Sequence, residues 1–132
     1  MGGAEYMKSI KKYETIINEA LRSALEYDTP EGQINEFISF FGKHIGSDRI
    51  YIFEDDEEHH VTNNTYEWCT EGITPQIEHL QGVNMEVIDW GYDTVEERKS
   101  VIISDVEELR RVHQVSYKML KYQNVHKVVV SP

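Results

Sequence analysis

The run Tyr66-Glu67-Trp68-Cys69 contains the residue types in this sequence that are best suited to holding a ligand. Alternate side chains of a strand share a face, so Tyr66 and Trp68 would lie on one face, and Glu67 and Cys69 on the other. Two aromatic rings on one face can form the floor of a pocket for a flat ligand. They can equally pack in a hydrophobic core, and the sequence leaves both interpretations open.

Cys69 is the only cysteine in the chain, which excludes an internal disulfide and is typical of a reducing compartment. A reactive thiol needs a nearby cation or a helix N-terminus that favours the thiolate. The neighbouring Glu67 and Glu71 oppose that ionisation. We therefore expect a buried, unreactive thiol in a cytoplasmic protein.

His59 and His60 follow four acidic residues at positions 55–58, a combination that invites comparison with a metal site. Adjacent histidines on an extended turn do not readily face one ion, and the usual i, i+4 histidine pair is absent from the sequence. We expect a solvated acidic turn and no bound metal. The sequence also lacks a nucleophile elbow, a glycine-rich phosphate loop and a paired-carboxylate signature, so it predicts a non-catalytic chain.

The charge balance narrows the range of partners. Thirteen basic residues against 24 acidic ones give a formal net charge of -11, which disfavours binding to a phosphate backbone and hence to nucleic acid. The sequence has no apolar run near the roughly 18 residues of a membrane span, and no signal-peptide pattern. We expect no membrane contact by this fragment.

The elements that would position these residues begin with a helix from Tyr6 to Tyr27. Its apolar residues recur at alternating spacings of four and three, as in a heptad seam. They are Tyr6, Ile10, Tyr13, Ile17, Ala20, Ala24 and Tyr27. This stripe predicts either a helix that lies on the sheet of its own domain or a helix that pairs with a second copy, and both can hold in a homodimer.

The rest of the chain predicts an α+β fold in which helices cover an antiparallel sheet. Thr29 and Pro30 suit the start of a second helix, and Gly46 suits its end. The predicted strands are Ile50–Phe53, which reads as buried on both faces, Val61–Thr70, Ser100–Ile103 and Lys127–Ser131. Between them we expect a helical turn at Gln76–Leu80. We also expect Ser104–Asp105 to cap a helical stretch at Val106–Tyr122 that is broken near Val112 and ends at Asn124.

Three stretches of the sequence are similar to GAF domains, namely Ser47–Glu54, Asn64–Ile77 and Val101–Val106. The chain resembles in particular the GAF domains found N-terminal to GGDEF (diguanylate cyclase) output domains in bacterial signalling proteins. The resemblance implies a central antiparallel sheet with flanking helices. It further implies one or two strands and a helix beyond Pro132, so we expect residues 29–132 to be a C-terminally incomplete GAF-like sensor domain. Residues 1–28 would form a signalling and dimerisation helix.

The resemblance also implies a ligand site, although the ligand itself is unknown. Its candidate residues are Tyr51, Tyr66, Trp68, Gln76, Trp90 and Tyr92. Bilin-binding relatives attach the chromophore through a Cys-His pair, whereas Thr70 follows Cys69 here, so we expect no bilin. The Asn-Lys-Phe-Asp-Glu type of signature found in cyclic-nucleotide-binding relatives is also not present.

The function implied is a regulatory sensory domain that binds a small ligand, dimerises, or does both. It would control a covalently linked output domain, a diguanylate cyclase in cyclic-di-GMP signalling. One alternative is a ligand-free GAF domain kept as a dimerisation scaffold. Another is an enzyme of the free methionine sulfoxide reductase type, whose chemistry needs several cysteines where this chain has one.

Overall fold

Two helices come first in the computed structural model, which describes residues 2–88 and 100–132. Helix α1 spans Gly2–Ala24 and helix α2 spans Pro30–Ile45. The predicted caps of α2 are confirmed. The Thr29 hydroxyl accepts a hydrogen bond from the Gly32 amide at 3.1 Å, and Gly46 ends the helix with a left-handed φ of 71°.

The two helices pack against each other through small or slim side chains of α1. Ile16, Ala20 and Ala24 are 7%, 0% and 6% exposed and recur four residues apart, so they form one face. The Ser23 hydroxyl donates to Glu36 Oε1 of α2 at 2.7 Å beside this face. Helices α1 and α2 are therefore closely packed, and both belong to one compact unit.

Helix α1 buries only part of the stripe that the sequence predicts. The two alanines of the predicted stripe are buried, while its larger members Tyr13, Ile17 and Tyr27 remain 49%, 39% and 46% exposed. Helix α2 thus covers the alanines of the stripe and leaves its larger residues exposed. We call the neighbouring exposed apolar surface of α1 its free face; the large members of this face are Met7, Ile17, Leu21 and Leu25.

A three-stranded sheet follows, with strands β1 (Arg49–Asp56), β2 (Val61–Cys69) and β3 (Val83–Asn84) in that order. The connection between β1 and β2 is only four residues long, which requires an antiparallel hairpin. Strand β3 pairs antiparallel with the start of β2, with Val61 opposite Asn84 and Thr62 opposite Val83.

Two details of this sheet differ from the sequence prediction. Strand β1 is half-buried or exposed along its length rather than buried on both faces, because Arg49 and Tyr51 alternate with its apolar residues. Strand β3 has two residues, too few for any alternation to reveal it in the sequence. The predicted turn at Gln76–Leu80 is confirmed as a 3₁₀ turn at Ile77–His79.

Trp68 of β2 packs directly on helix α2 at Gly42. A Cβ atom added to Gly42 would lie 3.1 Å from Trp68 Cδ2 and still closer to Cε3 and Cζ3 of the same ring. Gly42 is buried, so the ring occupies the space that any larger residue would need. The absence of a side chain at position 42 therefore fixes how closely the strand and the helix approach.

The second compact unit comprises residues 55–63 and 82–132, as far as they are described, and has its own core. Val106, Leu109 and Leu120 form that core, with Tyr117 and Val128 packed around it. They lie on a 3₁₀ turn at Val106–Leu109, on helix α3 (Gln114–Tyr122) and on the last strand, Val128–Val130. The predicted cap and stop are confirmed: Asp105 accepts a hydrogen bond from the Glu107 amide at 3.0 Å, and Asn124 has a φ of 59°.

Strand β4 (Val101–Ile103) pairs antiparallel with that last strand, β5 (Val128–Val130), with Ile102 opposite Val129. Across residues 2–88 and 100–132, the strands thus form two sheets, whereas the resemblance to GAF domains implied one central sheet. Ile102 and Val129 are 70% and 64% exposed, so this short ribbon buries only one face. The general α+β class is confirmed, with helices beside antiparallel sheets.

We predict that Gly42→Ala destabilises the protein, although alanine is ordinarily the better helix former by about 0.5–1 kcal/mol. The added methyl would collide with the ring of Trp68. Trp68→Ala should cost about 3 kcal/mol of unfolding free energy, because it removes a large packed ring.

Thermal unfolding of both variants, beside Gly3→Ala and Glu57→Ala, tests this packing. Gly3 lies in α1 with no atom within 4 Å of an added Cβ, so Gly3→Ala should melt at or slightly above the temperature of the parent. Glu57 is exposed, so Glu57→Ala should melt like the parent. Equal melting temperatures for Gly42→Ala and Gly3→Ala would show that Trp68 does not pack on α2.

Candidate functional site

A buried ion pair lies on one face of the β1–β2 hairpin. Arg49 Nε is 3.6 Å from Glu67 Oε2, and the two side chains are only 10% and 2% exposed. Their burial follows from strand geometry, since odd-numbered residues of each strand share this face. Charges this deeply buried are tolerated only when paired and hydrogen-bonded, so the surroundings of both groups decide what they do.

Glu67 uses its carboxylate to hold the backbone that follows β2. Oε1 accepts hydrogen bonds from the amides of Gln76 at 2.9 Å and Ile77 at 3.1 Å, while Oε2 accepts from Gln76 at 3.1 Å. These amides open the 3₁₀ turn at Ile77–His79, where backbone donors lack partners within the turn itself. One carboxylate therefore neutralises Arg49 and also caps the turn.

Both terminal nitrogens of the Arg49 guanidinium donate hydrogen bonds. Its Nη1 donates to the Tyr51 hydroxyl at 2.7 Å and its Nη2 donates to the Thr74 carbonyl at 2.6 Å. The guanidinium also lies over the Tyr51 ring, with Cζ 5.3 Å from the ring centroid, an arrangement that favours a cation. The planar fork of arginine suits such a junction between two strands and a loop.

The Cys69 thiol borders this cluster and is held in its neutral form. Burial raises the pKa of Cys69 above its ordinary value, and the Glu67 carboxylate raises it further. The hydrogen bond and charge of Arg49 act in the opposite direction and do not overcome the effect of burial. At neutral pH the group is a thiol rather than a thiolate, which opposes nucleophilic or redox chemistry.

A second buried polar residue, Asn64, holds β2 to the segment after it. Asn64 is 1% exposed; its amide N donates to the Leu80 carbonyl at 2.9 Å, and its carbonyl accepts from Gln81 Nε2 at 2.7 Å. With its side-chain amide assigned to satisfy its neighbours, Nδ2 donates to the carbonyls of Ile52 and Tyr66. The backbone and side chain of Asn64 therefore both hold neighbouring segments of the fold in place.

The residues predicted to contact a ligand do not converge on one surface. Tyr51 and Gln76 lie at the Arg49–Glu67 cluster, whereas Trp68 lies on the opposite face of β2, against Gly42. Tyr66 is half-buried and shares the strand face of Trp68. Trp90 and Tyr92 lie outside the described residues. For Trp68, the packing interpretation is the one that the structure supports.

Arg49 and Glu67 themselves were missed as a pair by sequence reasoning. Each is a charged residue within a run of residues that is otherwise typical of a β-strand. A charge in such a run was the sequence signal that could have pointed to the pair. Their partnership joins positions 18 residues apart on neighbouring strands, and its register is invisible in the sequence.

Two open depressions lie in the second unit. One, of about 200 Å³, is lined by Glu86 and residues 112–116. The other, of about 380 Å³, is lined by Asn84, Glu86, Val87 and Val115. Ser116 is buried beside them and donates its hydroxyl to the Val87 carbonyl. Among the residues that the structure describes, the lining of neither depression includes one that the sequence assigned to ligand binding.

In the acidic turn between β1 and β2, a histidine pairs with one of the aspartates. His59 Nδ1 lies 2.7 Å from Asp56 Oδ2, and hydrogen bonds from the His59 side chain and amide lower the pKa of Asp56. Over the described ranges, 2–88 and 100–132, no three histidine, cysteine, aspartate or glutamate side chains are grouped as a metal would require. Within the same ranges, the helices lack the combination of length and hydrophobicity needed to traverse a bilayer.

No protein-family model matches this chain, and a comparison with curated proteins finds no match either. Any statement about function therefore depends on the residues and geometry described above.

We predict that Glu67→Ala lowers the free energy of unfolding by about 3 kcal/mol, because the Arg49 charge loses its carboxylate and two backbone amides lose their acceptor. Glu67→Gln keeps the shape and one acceptor oxygen, so it should fall between Glu67→Ala and the parent.

Chemical denaturation measures both variants, with Glu71→Ala as the matched control. Glu71 is an exposed glutamate four residues further along the chain, and its replacement should leave the parent's denaturant midpoint unchanged. If Glu67→Ala and Glu71→Ala unfold at the same midpoint, Glu67 does not hold the loop.

Proposed function

We propose that this chain is a non-catalytic, cytoplasmic regulatory module of the GAF-like kind that pairs with a second copy through the free face of α1. The observation that carries the proposal is the exposure of large apolar side chains along that face. Met7, Ile17 and Leu21 are 52%, 39% and 51% exposed, and Leu25 is 76% exposed. An apolar surface of this kind, running along one helix, is typical of a protein–protein contact.

The position of this face relative to α2 supports pairing rather than packing within the domain. Helix α2 already covers the adjacent face through Ile16, Ala20 and Ala24. The free face lies beside that contact, so a second copy can cover it without displacing α2. A helix paired in this way can carry a change in one copy to the other.

In this proposal the pairing controls a covalently linked output domain, a diguanylate cyclase. Such an enzyme acts when two catalytic domains meet face to face, and a helical dimer contact sets their relative placement. The assignment of this output domain depends on the resemblance of Ser47–Glu54, Asn64–Ile77 and Val101–Val106 to GAF domains of that kind.

A specific observation favours a dimerisation scaffold over a small-molecule sensor. Arg49 and Glu67 are already paired as ions with each other, and they are hydrogen-bonded to Tyr51, Thr74, Gln76 and Ile77. A polar ligand would have to replace these bonds. A small molecule that co-purifies with the chain in native mass spectrometry would instead favour the sensor.

We predict that the parent chain associates to a dimer in sedimentation experiments over a series of concentrations, and that Ile17→Asp weakens the association at least about tenfold. Placing a carboxylate in the centre of an apolar contact typically costs more than about 1.4 kcal/mol, which is a factor of ten.

Thr15→Asp is the matched control, since it adds the same charge to an exposed position on the far side of the helix. It should dimerise like the parent, and circular dichroism should show equal helix content in both variants. A parent chain that stays monomeric at the highest concentration contradicts the proposal, as does a dimer unaffected by Ile17→Asp.

A further inference from the structure

We draw no further inference here: the strongest candidate, the exposed apolar face of the β4–β5 ribbon around Ile102 and Val129, carries none because nothing in the part of the chain that the structure describes shows what covers it.

Discussion

Ala20 is fully buried where α1 meets α2, and this contact decides what the rest of α1 can do. Helix pairs approach each other to a distance set by the side chains between them. Alanines at positions 20 and 24, four residues apart, allow a close approach and commit one face of α1 to α2. The larger side chains at positions 17 and 21 each precede an alanine by three residues, so they are turned away from it by about 60° and remain exposed. The interaction surface of the protein thus follows from the packing of its first two helices.

The hairpin that follows uses its polar residues for internal order. The Glu67 carboxylate joins Arg49 to the amides of Gln76 and Ile77, and Trp68 on the opposite face fits the gap left by Gly42. Both contacts hold β2 against neighbouring segments. The contacts of Glu67 do so through charge, and the packing of Trp68 does so through complementary shape. Buried charges that are paired with each other have less need of a ligand to neutralise them. That arrangement suits a rigid support for an exposed helix.

Local chemistry made part of this fold predictable from the sequence. Thr29, Gly46, Asp105 and Asn124 act on backbone groups within a few residues of themselves, so their roles as caps and stops could be read directly. The helix and strand positions followed from hydrophobic periodicity, which is also a local property.

The features that could not be predicted from the sequence depend on which neighbouring element a helix or strand face packs against. The stripe on α1 was visible, but its division between a buried and a free face was not, because periodicity does not say where α2 will lie. The partnership of Arg49 with Glu67 depends on the register between two strands, and strand β3 is too short to leave a pattern. The aromatic residues were the natural candidates for a site, whereas the structure shows that the buried ion pair organises this part of the chain.

Labelling of a thiol on α1 tests most directly whether a second copy covers the free face. In a Cys69→Ser background, Leu21→Cys places a thiol at a position whose native side chain is 51% exposed in the single chain. Its rate of reaction with a maleimide should fall as the protein concentration rises, while Lys8→Cys, on the polar face, should react at a constant rate. A Leu21→Cys rate that is the same at every concentration would contradict the account.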